Sequence, residues 1–505
     1  TLAQNIHKTE QVQLTTIMKS VTILTIAAMA MAAAAGCSHD NPTPSPEPPA
    51  KGGEFNEFGF TTTVPVTLCV DYGDMAGMPA NVYSEVYDTC PVEETETAYA
   101  KIAGVEPLYA GYTDGQGRFE GTIELPAYIR KAYVLTPAFY ARTLLEATRS
   151  GDMLTASAES GAPANAAPAS TRAKEYHSTA VERDGWKTWL GSYDTTYGSI
   201  GYEYDGDLKV KNYGALLKAH ASVFDTTKKC PKEYRSSRDL YLEKSAEVVI
   251  TLLGSNTCWN SSMGYYYYKT GNKPKSLADA NVVMIFPNTQ DGRWSNSPWE
   301  SRLYQGVERG TAVQLIYYPE IADGSKAGAT TVFPADYRIG FVLATNAWTN
   351  RLRAGDKKYR AATSDGLSVN NNGVAYQTPR TAVFRYTDKK SGINSVLFSF
   401  EDHTNDENFS DVVFTMTSNP VDAVTDIPSV DVNDGKKTAN VLRGIYAFED
   451  LWPSRGDYDM NDVMVRSDYE KVFNEKGVFE ESFMLKTFAN FAGNANGLAV
   501  TLTGA

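Results

Sequence analysis

Beyond residue 60 the apolar positions recur mostly at every second residue, in short runs. TTTVPVTLCVDY, NVYSEVYD and KAYVLTP belong to the first stretch, and TAVQLIYY, YRIGFVLATNAW, TAVFRYTD and SVLFSFED follow further on. A period of two sends alternate side chains to a buried face and to water, the pattern of half-buried strands. Gly, Pro, Asn and Asp-Gly turns separate the runs, so the chain is predicted to be mainly β, a series of β-sandwich modules. One segment departs from this. Between Pro231 and Leu253, residues Tyr241, Leu242, Ser245, Ala246, Val249 and Leu253 recur at three-and-four spacing, which predicts one notable helix in the middle region. YYYYK, Tyr265 to Lys269, reads as a half-buried strand, with a sugar-stacking platform as the competing reading.

A chain of 505 residues exceeds one ordinary core, and roughly 100–200 residues per domain gives about three folded units. Residues 60–150 form the first sandwich. Within it, YTDGQGRFEGTIELPAYIRKAYVLT resembles the prealbumin-like or carboxypeptidase-regulatory-like sandwiches that recur as spacers in Bacteroidetes surface proteins. That resemblance implies a hairpin turn at Asp114-Gly115-Gln116-Gly117. Residues 151–174 include an Ala/Ser/Pro/Gly tract without apolar periodicity and are expected to be a linker or mobile loop. Residues 175–430 form the largest β-rich unit, and residues 431–505 the last, which its abrupt LTGA ending suggests is truncated.

The amino-terminal part reads as an address. From Met18 a Lys is followed by an apolar stretch and then small residues up to Cys37, the order of a secretory signal. Ala34-Ala35-Gly36-Cys37 resembles the lipobox of bacterial lipoproteins, with Ala34 where that family usually has Leu. The resemblance implies cleavage before Cys37 and lipid attachment to its thiol. Residues 18–36 are thus the expected signal, 1–17 a mis-called upstream segment, and 37–59 the lipidated Cys with a Pro-rich, extended tether.

The net charge of −13 and the lack of a Lys/Arg block in the mature chain leave out the electrostatic footprint of a nucleic-acid binder. Cations are better suited as partners than phosphates, although a solvated, soluble surface accounts for most of the acidity. Besides Cys37 there are Cys69, Cys90, Cys230 and Cys258. In an exported chain they are disulfide candidates, sequence proximity favouring Cys69 with Cys90 and Cys230 with Cys258, against the alternative of small buried hydrophobes.

The most informative pattern occurs twice. In SVLFSFEDHTNDENFSDVVFTM a strand ends in Phe400-Glu401-Asp402, an acidic turn follows, and Asp411 opens the next strand. In GIYAFEDLWPSRGDYDMNDVMV the same grammar gives Phe448-Glu449-Asp450 and Asp462. Counting back from the closing Asp pairs Asp406 with Asp457, Asn408 with Asp459 and Ser410 with Asn461. Asp457-x-Asp459-x-Asn461 sets oxygen-bearing side chains at every second position of a tight loop, where like charges repel unless a cation lies between them. Hard cations take about six to eight oxygens, so Ca²⁺ is the expected cofactor, with Glu449, Asp450 and Asp462 completing the second site. Glu401, Asp402, Asp406, Asn408 and Asp411 form the weaker first one. Asp462 stands where an EF-hand needs Gly, and a strand follows in place of a helix, so the loop is of another kind. The competing reading is an acidic Asx-turn pointing to water.

FEDLWPSRGDYDMNDVMV resembles the signature of LruC-type C-terminal domains of bacterial, Bacteroidetes-type lipoproteins. FSFEDHTNDENFSDVVF, with FPADYRIGFVLATNAW before it, resembles a related domain of unknown function in which FED and GDxDxND recur. These resemblances imply an outer-membrane, lipid-anchored location, periplasmic or at the surface, and a binding or structural role. Five histidines, His7, His39, His177, His220 and His403, stand in no H-E-x-x-H motif, and neither G-x-S-x-G nor a P-loop occurs. No catalytic residue is therefore assigned. The expected function is adhesion or the binding of a glycan or extracellular protein, with a structural envelope component as the alternative and a carboxylate-pair glycoside hydrolase as the minor one.

Overall fold

The computed structural model describes residues 12–16, 63–73, 81–94, 99–158, 186–194, 198–210, 213–257, 259–290, 306–348, 359–388, 393–402, 406–429, 437–450, 460–474, 477–493 and 495–500. The signal, Cys37 and the tether lie outside these residues. Among the described residues no helix is long and apolar enough to cross a membrane.

The alternating runs form strands throughout, and the architecture is mainly β with one α-helix among the described residues. The first module is a seven-stranded sheet in the order Tyr109–Tyr112, Tyr83–Tyr87, Lys131–Leu135, Leu144–Ser150, Met153–Ser157, Thr63–Asp71, Arg118–Pro126. Val66, Leu68 and Val70 point inward along one strand, as period-two alternation requires. Met153–Ser157 runs parallel to Thr63–Asp71, with Leu154 and Ala156 fully buried. The module therefore continues to Ser157, past the expected linker boundary.

The tight turn expected at Asp114–Gly117 is present, closed by Asp114 N–H to Arg118 O at 2.6 Å and Gly117 N–H to Asp114 O at 3.2 Å, but the strands it joins stand at opposite ends of the sheet order and share no ladder. Asp114 Oδ1 accepts from the backbone N–H of Gln116 and Arg118 at 2.8 and 2.9 Å, and Gly117 takes φ +78°, a left-handed value that suits Gly.

The middle unit packs two six-stranded sheets face to face. Phe398 and Phe414, paired on neighbouring strands of one sheet, stack at 4.7 Å, and Phe341 of the other sheet meets them edge-on across the core at 5.1 and 4.9 Å. Such pairs each contribute about 0.5–1.5 kcal/mol beyond the area they bury.

The helix expected between Pro231 and Leu253 is not there. That segment holds a single 3-10 turn, Lys232–Tyr234, then the strands Leu240–Leu242 and Ala246–Gly254. Ala246–Gly254 is central, paired on one side with Ala312–Gln314 and Val332–Phe333 and on the other with Val412–Asn419. Val248, Ile250 and Leu252 face the inter-sheet core, while Leu253 joins a second core on the opposite side. A strand covered on both faces has no polar face, so its apolar run imitates a helix.

The α-helix is Tyr213–Val223, and it buries Leu216, Leu217, Ala219 and His220. Together with Phe224 it fills the space between the first module, at Phe139 and Ala138, and the outer face of the middle unit, at Phe384, Leu397 and Val413. One continuous core thus links the two units.

At the carboxyl end the order is Val12–Thr16, Gly477–Asn490, Val463–Asn474, Lys437–Phe448. Val12–Thr16, expected to lie ahead of the fold, lines the edge of this sheet at Glu481–Leu485. Phe473 packs on Tyr83 and Tyr112 of the first module at 6.0 and 5.8 Å.

Candidate metal centre

Strands Ile393–Phe400 and Val412–Asn419 are antiparallel neighbours, with Phe400 opposite Val412. This register brings the residues just past each end, Glu401-Asp402 and Asp411, to one point. A carboxylate oxygen from each of the three lies within 4.8 Å of the others. They are only 1%, 3% and 2% exposed. Asp411 Oδ2 accepts from the backbone N–H of Asp402 at 2.6 Å, Asp402 Oδ2 from Thr257 Oγ1 at 2.5 Å, and Glu401 Oε2 from the N–H of Phe409 at 3.2 Å.

The intervening turn is bent by two non-Gly residues in the left-handed region, Glu407 at φ +50° and Phe409 at φ +58°. Asn408 was an expected ligand, yet its amide serves the turn: Oδ1 accepts from the N–H of Ser410 at 2.7 Å, and Nδ2 donates to Asp406 Oδ2 at 2.8 Å and Thr226 O at 3.1 Å. Ser410 is fully buried, and its Oγ has no hydrogen-bond partner among the described residues. A buried hydroxyl left unsatisfied costs free energy, so an oxygen at this place calls for a ligand.

The electrostatics are unbalanced. Arg380, 1% exposed, reaches Glu401 Oε1 at 3.3 Å and lies over the Tyr376 ring at 4.9 Å. The same guanidinium also reaches Glu407 Oε1 at 3.7 Å, and its charge offsets those of Glu401, Asp402 and Asp406 only in part. Burial, with Asp406 beside it, holds the Glu401 carboxyl well above the carboxylate range in spite of Arg380. Burial pushes Asp402 up to about 7, burial and the charges of Asp402 and Glu401 push Asp411 well up, and burial also raises Asp406. Without further positive charge such a group must take up protons; a divalent cation would remove the need. The donor set fits Ca²⁺: the three carboxylates that converge within 4.8 Å offer up to six hard oxygens.

The second turn repeats the design. Phe448 stands opposite Val463, and Glu449, Asp450 and Asp462 each offer an oxygen within 4.8 Å of the others. Asp462 Oδ2 accepts from the N–H of Asp450 at 2.8 Å, the counterpart of the Asp411 to Asp402 bond. Met460 has φ +55°, matching Phe409 at the aligned position. This trio is half-buried, as is Asn461, whereas the first trio is fully buried. Asp457 and Asp459 lie outside the described residues. Among the described residues the first turn, ranked lower from its sequence, is the more completely enclosed.

Other expectations resolve differently. Cys69, Cys90 and Cys230 are free thiols, which corrects the proposed pairing of Cys69 with Cys90 and leaves Cys230 outside any bridge; Cys258 lies outside the described residues. Cys69 is held in mid-strand between Glu120 and Thr155, and Cys90 packs beside the Tyr87 cluster with its Sγ 3.2 Å from Val92 O. Strand Ser262–Lys269 does contain the tyrosine run, and its hydroxyls are engaged by Ile316 O, Ser364, Tyr318 O and Asp239 at 2.6–2.8 Å. Those rings support the sheet and offer no open platform.

His220 Nε2 is 3.0 Å from Ser399 Oγ, but the ring is fully buried between Phe139 and Phe224, both at 4.5 Å, where no substrate reaches it. His177 and His403 lie outside the described residues. Arg380 and Thr257 complete the acidic site, although both stand in ordinary turn sequence without a motif.

Two family models match parts of the chain. Residues 64–158 match a domain of unknown function (DUF8469), which spans the first module, and residues 333–419 match a domain of unknown function (DUF4114), which contains the first acidic turn. No curated protein and no solved structure matches the chain.

Proposed function

We propose that the chain is an outer-membrane lipoprotein, tethered through Cys37, whose β modules are braced by Ca²⁺ at the two acidic turns and present a surface for a glycan or extracellular protein ligand. The observation that carries the cation reading is the buried trio Glu401, Asp402 and Asp411, with the Arg380 guanidinium for compensation. Its recurrence at Glu449, Asp450 and Asp462, with the same closing hydrogen bond, argues for a shared purpose over two chance acidic turns. The cation would tie the ends of adjacent strands together, so binding energy becomes folding energy. The envelope reading draws on the lipobox-like Ala34 to Cys37 and on the resemblance of FEDLWPSRGDYDMNDVMV to LruC-type domains.

Calcium titration followed by thermal melting tests the cation. An ion at 100 times its Kd stabilises by about 2.7 kcal/mol. The gain should shrink in Asp411→Ala and, for the second turn, in Asp457→Ala and Asp459→Ala; a gain retained in all three removes these residues from the sites. Palmitate labelling that persists in Cys37→Ser would refute the anchor, and glycan and matrix arrays without any bound ligand would refute the adhesive role.

A further inference from the structure

The carboxyl-terminal sheet ends on a strand edge without the usual protection. Gly477–Asn490 pairs on its inner side with Val463–Asn474, and on its outer side Val12–Thr16 meets only Glu481–Leu485. Among the described residues no other strand lines that side. A bare edge offers N–H and C=O groups to any approaching strand, and folded proteins blunt such edges with Pro, bulges or dense charge. Here the ladder is regular from Glu480 to Thr487, its two irregularities fall outside that stretch, and the stretch holds no Pro. Met484 and Phe488, on the same strand, are 39% and 49% exposed.

Val12–Thr16 shows what the edge accepts. It is an antiparallel strand, set with Leu14 opposite Phe483 and brought from the far end of the chain. It precedes Met18 and leaves with the leader when the chain is cut before Cys37, so the exported chain keeps Gly477–Asn490 and loses its cover.

The strand is its own complement. Side chains directly opposite each other in an antiparallel pair share a face, so two copies of one edge strand related by a two-fold axis must set one residue opposite itself. With Phe483 on the axis, Glu480 of each copy falls opposite Lys486 of the other, Ser482 opposite Met484, and Glu481 opposite Leu485. Glu480 and Lys486 are both exposed, whereas Glu481 is held within its own sheet by the Tyr469 hydroxyl at 2.6 Å. Moving the axis to Ser482 or Met484 separates the opposite charges.

We propose that in the exported chain Gly477–Asn490 pairs antiparallel with the same strand of a second copy, centred on Phe483, and joins two carboxyl-terminal sheets into one. The pairing rests on the reading of Cys37 as the first residue after cleavage. It satisfies the open edge, and each Glu480 and Lys486 gains a cross-strand partner of opposite charge.

The test uses the protein purified from membranes. Mass spectrometry gives its first residue, and sedimentation equilibrium in density-matched detergent gives its mass, expected to be that of a dimer. Lys486→Glu sets like charges opposite each other twice, and should weaken the dimer about tenfold or more. Glu480→Lys/Lys486→Glu restores opposite charges and should recover the wild-type association. A monomeric chain that begins at Cys37, a dimer indifferent to Lys486→Glu, or a double variant no better than the single one would each overturn the pairing and leave the anchor standing. A purified chain that still carries residues 12–16 refutes cleavage before Cys37 and, with the edge still covered, this inference too.

Discussion

Replacing Asp402 by Asn separates a cation site from a plain hydrogen-bond network, because the two predict opposite signs. In the folded chain without metal, burial takes this carboxyl from an ordinary 3.8 to about 7. A group whose folded pKa is raised binds more protons folded than unfolded between those values, so it costs nothing below pH 3.8, and its cost grows until pH passes about 7. At 1.36 kcal/mol per pKa unit the full cost is about 4 kcal/mol. The substituted amide carries no charge to desolvate and keeps an oxygen for Thr257. In EGTA at pH 8 the variant should therefore melt higher than wild type, by up to about 8–16 °C at roughly 2–4 °C per kcal/mol, with the advantage vanishing near pH 4. In saturating Ca²⁺ the order should invert, since the variant has lost a charged ligand. Differential scanning calorimetry at pH 4 and 8, in EGTA and in Ca²⁺, gives all four numbers. If Asp402→Asn lowers the melting temperature equally in EGTA and in Ca²⁺, the carboxylate is a structural acceptor and the reasoning from unbalanced charge fails.

Further outcomes follow from the same physics. His220 is fully buried, and burial lowers its pKa from 6.5 to about 3, so the unfolded chain binds the extra proton and stability drains away as pH falls below 6.5. Denaturant melts of wild type and His220→Phe should show their difference moving in the variant's favour by about 2 kcal/mol between pH 7 and pH 5, and a constant difference would refute the assignment. Leu252→Ala, in the central strand and 0% exposed, should cost about 2–5 kcal/mol by urea titration; a cost under 1 kcal/mol would show that the site collapses or is not core. Dithiothreitol should leave the melting temperature unchanged, given free Cys69, Cys90 and Cys230, and a clear drop would mean that a bridge exists after all.

The sequence by itself determined what depends on short-range periodicity and turn chemistry. Alternating runs such as Thr63–Asp71 are strands because one face meets a core and the other does not. The repeated Phe-Glu-Asp with its closing Asp was legible as a unit, since the residues lie close along the chain and the hairpin register only has to join them. Where the environment came from distant segments, reading along the chain failed. Ala246–Gly254 looked helical because covers from two different units bury both its faces, and the short helix Tyr213–Val223 shows too few turns to reveal its period. The cysteines are near in sequence yet held by separate strands and turns, so proximity along the chain did not become a bond. At the acidic site, tertiary structure decided the chemistry: Arg380 and Thr257 arrive from elsewhere in the chain, and burial turns a solvated acidic turn into a cluster that needs protons or a cation. Charge can be counted in a sequence, but its cost depends on the dielectric around it, and only folding sets that.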